Sequence, residues 1–276
     1  MTINPPDPIY SSAGSDLTLS CSAQSSPPAH YQWFFNGAPL NKLGSQLNMA
    51  HIQHNQTGNY TCWAFNNITL RYGDVTRSIT VIAPISNINV KPTPAQPIEN
   101  NTFSLTCNVT GTADSRLWWK DDQPLSTTER ITLSGDNSTV SFNPVLQSDN
   151  GTYQCTASDP VSQLNSTGYR LDVNYGPEQV SITGPDASRI GSTAVFTCSA
   201  LSQPGCEYTW FINGKLVAKG SPYKIHPVNS SNDGSYTCTA WNSLTERNSS
   251  AVKMHHVLGM FLLLMEGMLY LFDPPP

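Results

Sequence analysis

Apolar and polar residues alternate in short runs along most of this 276-residue chain. Leu17, Leu19, Cys21 and Ala23 alternate with Asp16, Thr18, Ser20 and Ser22. A period of two with one apolar side predicts a half-buried strand. The pattern returns at Tyr31, Trp33 and Phe35, at Tyr60, Cys62 and Ala64, and at Phe103, Leu105, Cys107 and Val109. It returns again at Leu117 and Trp119, at Phe196, Cys198 and Ala200, at Tyr208, Trp210 and Ile212, and at Tyr236, Cys238 and Ala240. Asn36-Gly37 and Asn213-Gly214 are tight-turn signals between strands. Gly135-Asp136-Asn137 separates two further predicted strands, Arg130 to Leu133 and Thr139 to Phe142. No helix-period pattern precedes residue 257.

The strands carry an internal repeat. One frame reads Cys21, Trp33, Tyr60, Cys62; the next Cys107, Trp119, Tyr153, Cys155; the last Cys198, Trp210, Tyr236, Cys238. In each, the Trp is taken twelve residues after the first Cys, and the Tyr stands two before the second. The frame resembles the core of an immunoglobulin-type sandwich. That resemblance implies a disulfide joining two sheets, a Trp packed on it and a tyrosine corner. The expected fold is all-β: three tandem immunoglobulin-like sandwiches of the C2/I-set kind in an extended rod, followed by a short apolar tail. The expected domains are 1–83, 84–175 and 176–254, with 255–276 as the tail. Pro84 and Gly176-Pro177 mark the joints. Each predicted bridge closes a loop of 40–50 residues, worth roughly 4 kcal/mol when chain entropy alone is counted.

Composition narrows the setting. Charged residues make up 12% and the net charge is −5, with no basic run, which argues against a nucleic-acid partner. Seven cysteines give three pairs and one remainder, and paired cysteines imply an oxidising compartment. Asn55, Asn59, Asn67, Asn100, Asn108, Asn137, Asn150, Asn165, Asn229 and Asn248 each begin an N-glycosylation sequon. Together these place the chain outside the cell, at the plasma membrane or secreted. Met1 to Pro6 holds no apolar leader, so the expectation is a fragment, or a gene model missing its start.

Three stretches carry a narrower resemblance. They are Ser25-Ser26-Pro27-Pro28-Ala29-His30-Tyr31-Gln32-Trp33-Phe34-Phe35-Asn36-Gly37, then Leu117-Trp118-Trp119-Lys120-Asp121-Asp122-Gln123-Pro124-Leu125, and the joint Asn174-Tyr175-Gly176-Pro177. They resemble the carcinoembryonic-antigen-related cell adhesion molecules. In that family, longer A-type and shorter B-type C2-set domains alternate behind an N-terminal V-type domain. By resemblance this chain reads B, A, B over about residues 5–250. The family's main adhesive surface lies on the V-type domain, which does not precede Cys21, so no adhesive residue carries over.

Some side chains invite a role of their own. Asp149 precedes a tyrosine corner, and Arg130 is its expected ion-pair partner at the sandwich end. Gln56 and Asn232 stand at the matching positions and imply neutral hydrogen bonds there. By strand parity Phe34 and Trp63 point outward on neighbouring strands, as do Trp118, Phe211 and Trp241, making these five the candidate interface. Rings covered by the protein itself are the competing reading. Cys206 is the odd cysteine, read as an unpaired loop thiol or as the link in a covalent dimer. His51, His54, His255 and His256 read as surface residues, without the spacing of a metal site. No nucleophile elbow, phosphate loop or free Cys/His pair is present, so neither an enzyme nor a cofactor is expected.

Val257 to Phe272 is apolar but interrupted by Glu266. As a helix it would span about 24 Å against a bilayer core near 30 Å. Three readings stay open: a lipid-anchor signal, a spanning helix, or a non-native end. Two functions fit the whole. One is cell–cell adhesion through contacts with cell-surface proteins, copies of this chain included. The other is a non-binding glycosylated spacer that holds a missing V-type domain away from the membrane.

Overall fold

The computed structural model describes residues 1–259. They form two compact units: Met1–Thr93 with Ser104–Phe142 and Gly151–Arg170, and Pro94–Phe103 with Asn143–Asn150 and the chain from Leu171 onward. The first unit holds the first sandwich and most of the second, and the second unit holds the remaining segments of the second together with the third.

The first sandwich uses β1 (Thr2–Asn4), β2 (Ile9–Ser12), β3 (Leu17–Ser22), β4 (His30–Phe35), β5 (Ala38–Leu43), β6 (Gln46–Met49), β7 (Gly58–Asn66) and β8 (Arg71–Ile82). One sheet runs β1-β3-β6 and the other β2-β8-β7-β4-β5. Pro5, Pro6 and Pro8 lack the N–H a ladder needs, so the opening segment leaves the first sheet after Asn4. It joins the second at Ile9, where β2 pairs parallel with β8.

The second sandwich uses β9 (Asn87–Thr93), β10 (Phe103–Thr110), β11 (Ser115–Lys120), β12 (Gln123–Pro124), β13 (Ile131–Leu133), β14 (Thr139–Phe142), β15 (Gly151–Ser158), β16 (Gln163–Asn165) and β17 (Tyr169–Leu171). Its sheets run β13-β14-β10-β9 and β12-β11-β15-β16. The two strands expected on either side of Gly135-Asp136-Asn137 are β13 and β14.

The third sandwich uses β18 (Tyr175–Thr183), β19 (Ala187–Arg189), β20 (Ala194–Gln203), β21 (Glu207–Ile212), β22 (Lys215–Lys219), β23 (Tyr223–Ile225), β24 (Gly234–Asn242) and β25 (Arg247–Leu258). It repeats the plan of the first, with sheets β18-β20-β23 and β19-β25-β24-β21-β22. The sequence pattern puts the start of the tail at residue 255, but β25 runs to Leu258. His255, expected on the surface, is fully buried. It sits edge-on to Phe196 and Tyr236, with centroids 5.1 and 5.5 Å away, and its Nδ1 lies 3.0 Å from Pro185 O. Val257 packs on the same core. The physical reason is pairing: β25 holds its register with β24 as far as His255 and with the parallel β19 from His256 to Leu258, so the strand outlasts the point where the sequence turns apolar. The rest of the tail, Met260 to Pro276, lies outside the described residues.

Each sandwich is closed by one disulfide. Cys21–Cys62, Cys107–Cys155 and Cys198–Cys238 span 41, 48 and 40 residues, with Cα–Cα distances of 6.4, 6.1 and 6.4 Å. Beside each bridge lies a buried indole that donates Nε1–H to a backbone carbonyl. Trp33 reaches Gly44 O at 3.1 Å and Trp210 reaches Gly220 O at 2.9 Å. In the middle sandwich the core indole is Trp118, not the expected Trp119. Trp118 is 4% exposed and donates to Asn137 O at 2.8 Å.

The cause is register. Trp33 stands opposite Cys62, Trp210 opposite Cys238 and Trp118 opposite Cys155. Directly opposed residues share one face of a sheet. Trp118 therefore faces the disulfide, one residue earlier than the twelve-residue spacing implies, while Trp119 and the 57%-exposed Leu117 face out. Trp118 consequently leaves the candidate interface. Two substitutions test this. Trp118→Ala should cost about 3–5 kcal/mol in denaturant unfolding of the middle sandwich. Trp119→Ala should cost about 1 kcal/mol or less, as expected for a surface position.

Candidate interaction surface

The outer faces of the disulfide-bearing sheets differ between sandwiches, although their inner faces repeat. On the first, β4 and β7 place Phe34 and Trp63 edge to face, with ring centroids 5.8 Å apart and planes at 72°. Trp63 lies opposite Gln32 on one side and Asp74 on the other. A third ring completes the cluster: Tyr72 on β8 lies 5.5 Å from Trp63. Trp63 is 41% exposed and Tyr72 70%. Leu43, on the row of Trp63, and Phe65, on the row of Tyr72, add exposed apolar surface. Sequence reasoning missed Tyr72. Its signal was parity along the last strand, where Tyr72 precedes Asp74 by two and so shares its face.

The other expected interface rings are not gathered. Phe211 lies opposite Leu216 and Thr237, whereas Trp241 lies opposite Glu207 and Asn248. Thr239 stands between them and shares a hydrogen bond of 2.9 Å with Ser250. Val252 and Met254 are exposed on the neighbouring strand. In the middle sandwich, the outward Trp119 donates Nε1–H to Thr156 Oγ1 at 2.9 Å. Thr156 in turn donates to Asn165 Oδ1 at 2.9 Å.

Loops at the sandwich ends are held by side chains that the repeat frame did not include. Four residues after the second cysteine stand Asn66, Asp159 and Asn242. Asn66 Oδ1 accepts from Ile68 N and Thr69 N, both at 3.0 Å. Asn242 Oδ1 accepts from Leu244 N and Thr245 N, and its Nδ2 donates to Tyr175 O, Pro204 O and Ser202 Oγ. Asn242 and Thr245 Oγ1, which donates to Gly176 O, thereby seat the Tyr175-Gly176-Pro177 joint. Any Cβ at Gly176 would collide with Leu201 O. Asp159 Oδ1 accepts from Val161 N and Ser162 N, and Oδ2 from Ser162 Oγ. Partial burial opposes the charge on Asp159, but those hydrogen bonds outweigh it and hold its carboxyl below the usual range.

A second set fastens the hairpin after the core tryptophan. Asn36, Asp121 and Asn213 adopt left-handed backbone there. Their side-chain oxygens accept from Asn59 N, Thr152 N and Ser235 N at 2.8–2.9 Å. A Cβ at Gly58 or Gly151 would come within 2.7 Å of a side-chain oxygen of Asn36 or Asp121, so each chain crosses its turn at a glycine. The tyrosine corners are visible as Tyr60 Oη to Gln56 O at 2.9 Å and Tyr236 Oη to Asn232 O at 2.8 Å. Burial, with Tyr223 and Asp233 nearby, pushes the Tyr236 phenol up to about 12. Tyr153 is fully buried.

Gln56, Asp149 and Asn232 side chains each accept the backbone N–H three residues earlier, at 2.8 Å. Asp149 is buried, and Arg130 lies just before β13. All ten sequon asparagines are exposed. Cys206 is half-buried beside β21 and unbonded. Among the described residues, no three His, Cys, Asp or Glu side chains converge as a metal site.

Comparison with known proteins agrees with this geometry. The immunoglobulin domain family matches residues 1–66, 87–159 and 177–242. The I-band fragment I67–I69 of titin aligns with 91% of this chain and 95% of its own, at 16% identity and a TM-score of 0.66. The N-terminal eight Ig domains of Down syndrome cell adhesion molecule align over 90% of this chain and 35% of theirs, at 22% identity and 0.56. Murine CEACAM1b aligns over 60% of this chain and 96% of its own, at 22% identity and 0.49. The titin and Down syndrome cell adhesion molecule likenesses establish the fold, and the comparisons do not single out the carcinoembryonic-antigen-related branch.

The loop clasps generate a graded expectation. Asn242→Ala leaves several buried partners without their bonds and should cost about 1–3 kcal/mol in chemical denaturation. Asp159→Asn should be nearly neutral near pH 7, since Asn does the same work in the other two sandwiches. The Asp159 carboxyl is depressed, so its contribution is present above the unfolded value of about 3.9 and is lost as pH falls through the lower folded value. Asp159→Asn should therefore flatten the acid limb of the middle sandwich's stability profile.

Proposed function

Since the chain belongs to the immunoglobulin domain family, we propose that it is an extracellular recognition protein whose first sandwich contacts other cell-surface proteins. The observation that carries this reading is the Phe34–Trp63–Tyr72 cluster, in which Trp63 touches both other rings and the exposed Trp63 and Tyr72 lie beside exposed Phe65 and Leu43. Clustered exposed aromatics of this kind mark protein interfaces, where Trp and Tyr supply most of the binding energy. Copies of this chain are among the partners it fits. Three intramolecular disulfides and ten exposed sequons support a secretory route and a glycoprotein at the plasma membrane or outside it. The Tyr175-Gly176-Pro177 joint, packed as described, supports a place near the carcinoembryonic-antigen-related adhesion molecules. Single contacts of this size are weak, and many act together between apposed cells.

One observation favours a spacer role for the other two sandwiches. The middle sandwich turns out a single ring tied to Thr156, and the third separates Phe211 from Trp241 by the Thr239–Ser250 hydroxyl pair. Bead aggregation and cell binding by the whole chain separate the readings. Wild type should aggregate beads or bind cells, and the double variant Trp63→Ser, Tyr72→Ser should do so at least tenfold less. Both positions are exposed, so the fold should persist. No aggregation or cell binding by wild type would leave spacing as the function of all three sandwiches. Undiminished binding by the variant would move the surface elsewhere.

A further inference from the structure

The outward tryptophans of the three sandwiches occupy matching sheet faces but have different neighbours. In the third sandwich, Trp241 stands directly across from Asn248 of β25. Opposed residues have Cβ atoms about 4.5–5.5 Å apart, so anything carried on Asn248 emerges beside the indole. In the first sandwich, the residue across from Trp63 at the same place is Asp74, which cannot be glycosylated. The nearest sequon asparagines along the strand of Trp63, Asn59 on β7 and Asn67 just past its end, are each four residues away, about 13 Å along an extended strand.

The middle sandwich reaches the arrangement of the third by other strands. Trp119, Asp122, Gln154, Thr156, Gln163 and Asn165 line one open cleft on its outer face. The chain of bonds from Trp119 Nε1 to Thr156 Oγ1 and on to Asn165 Oδ1 anchors both the ring and the sequon side chain. It engages the amide oxygen of Asn165, leaving Nδ2 to carry a substituent. An aromatic ring flanked by amide and carboxylate groups suits a sugar: C–H bonds rest on the negative ring face and hydroxyls meet the polar rim.

We propose that Trp119 and Trp241 are seats for this chain's own N-linked glycans, at Asn165 and Asn248 respectively, and that the first sandwich keeps its aromatic cluster bare. The inference rests on the extracellular reading above. Attachment forms a bond from asparagine Nδ2 to C1 of the first sugar. The C1–O bond to a lipid diphosphate donor breaks, and one amide proton is released. The first two N-acetylglucosamine residues then lie over the neighbouring indole, closing two of three equivalent faces to protein.

The test is the rate at which endoglycosidase H, which cuts between those two sugars, removes each glycan. The whole chain, given a secretion leader, is made in cells restricted to oligomannose glycans, and glycopeptide mass spectrometry reads every site. Asn165 and Asn248 should be cut at least fivefold more slowly than Asn55, which is exposed on the short 3-10 helix His54–Gln56. Trp119→Ala should release only Asn165 and Trp241→Ala only Asn248. Trp119→Phe and Trp241→Phe, which keep a ring, should retain most of the protection. Equal rates at all sites, or protection unchanged in the Ala variants, would overturn the inference. So would empty Asn165 and Asn248 in a chain glycosylated elsewhere. Ten empty sequons would instead overturn the extracellular reading on which it rests.

Discussion

The structure turns on one cross-strand relation: a tryptophan directly opposite the second cysteine of a disulfide. That pairing puts the indole and the bridge on the same side of the sheet, where neither meets water. The indole N–H must then find an acceptor inside, and in all three sandwiches it is a backbone carbonyl on a neighbouring connection: Gly44, Asn137 and Gly220. Unpaired, each N–H would cost about 1–3 kcal/mol. The pairing therefore holds the connecting segment as well as the two sheets. Phe196 stacked on Tyr236, and Phe142 edge-on to Tyr153, extend the same packed layer.

With the interior so constrained, variation is confined to what alternation places outside. The first sandwich gathers Phe34, Trp63 and Tyr72; the third separates Phe211 from Trp241 with threonines; the middle ties Trp119 to Thr156. A fold built this way can change partners without losing stability, because outward residues contribute little to the core. The ends behave differently. There, Asn66, Asp159 and Asn242 satisfy backbone groups of their turns, and Asn36, Asp121 and Asn213 hold the opposite hairpins. These residues are polar yet structural, so polarity alone does not distinguish binding positions from fold positions in this chain.

The two departures from the sequence reading have a common origin. Trp118 and Trp119 are adjacent, and both are compatible with an alternating strand; only the register with β15 decides which one faces the disulfide. His255 reads as polar, and Val257 reads as the start of an apolar tail. Pairing with β24 and then with β19 keeps that segment in the sheet and buries the imidazole beside two rings. In both cases the deciding partner lies far away in sequence, where local pattern carries no information about it.

The sequence alone determined that the chain is all-β, repeats one frame three times and carries three in-frame cysteine pairs, one odd cysteine and ten sequons. Those features follow from period-two alternation and from residue types whose chemistry is local. Tertiary structure decided which of two neighbouring indoles is core, that Tyr72 joins Phe34 and Trp63, where the last strand ends, and which tryptophans face a sequon. Each of these is a question of which residue stands opposite which. A shift of one position along a strand turns every side chain to the other face, and only long-range pairing selects among the registers.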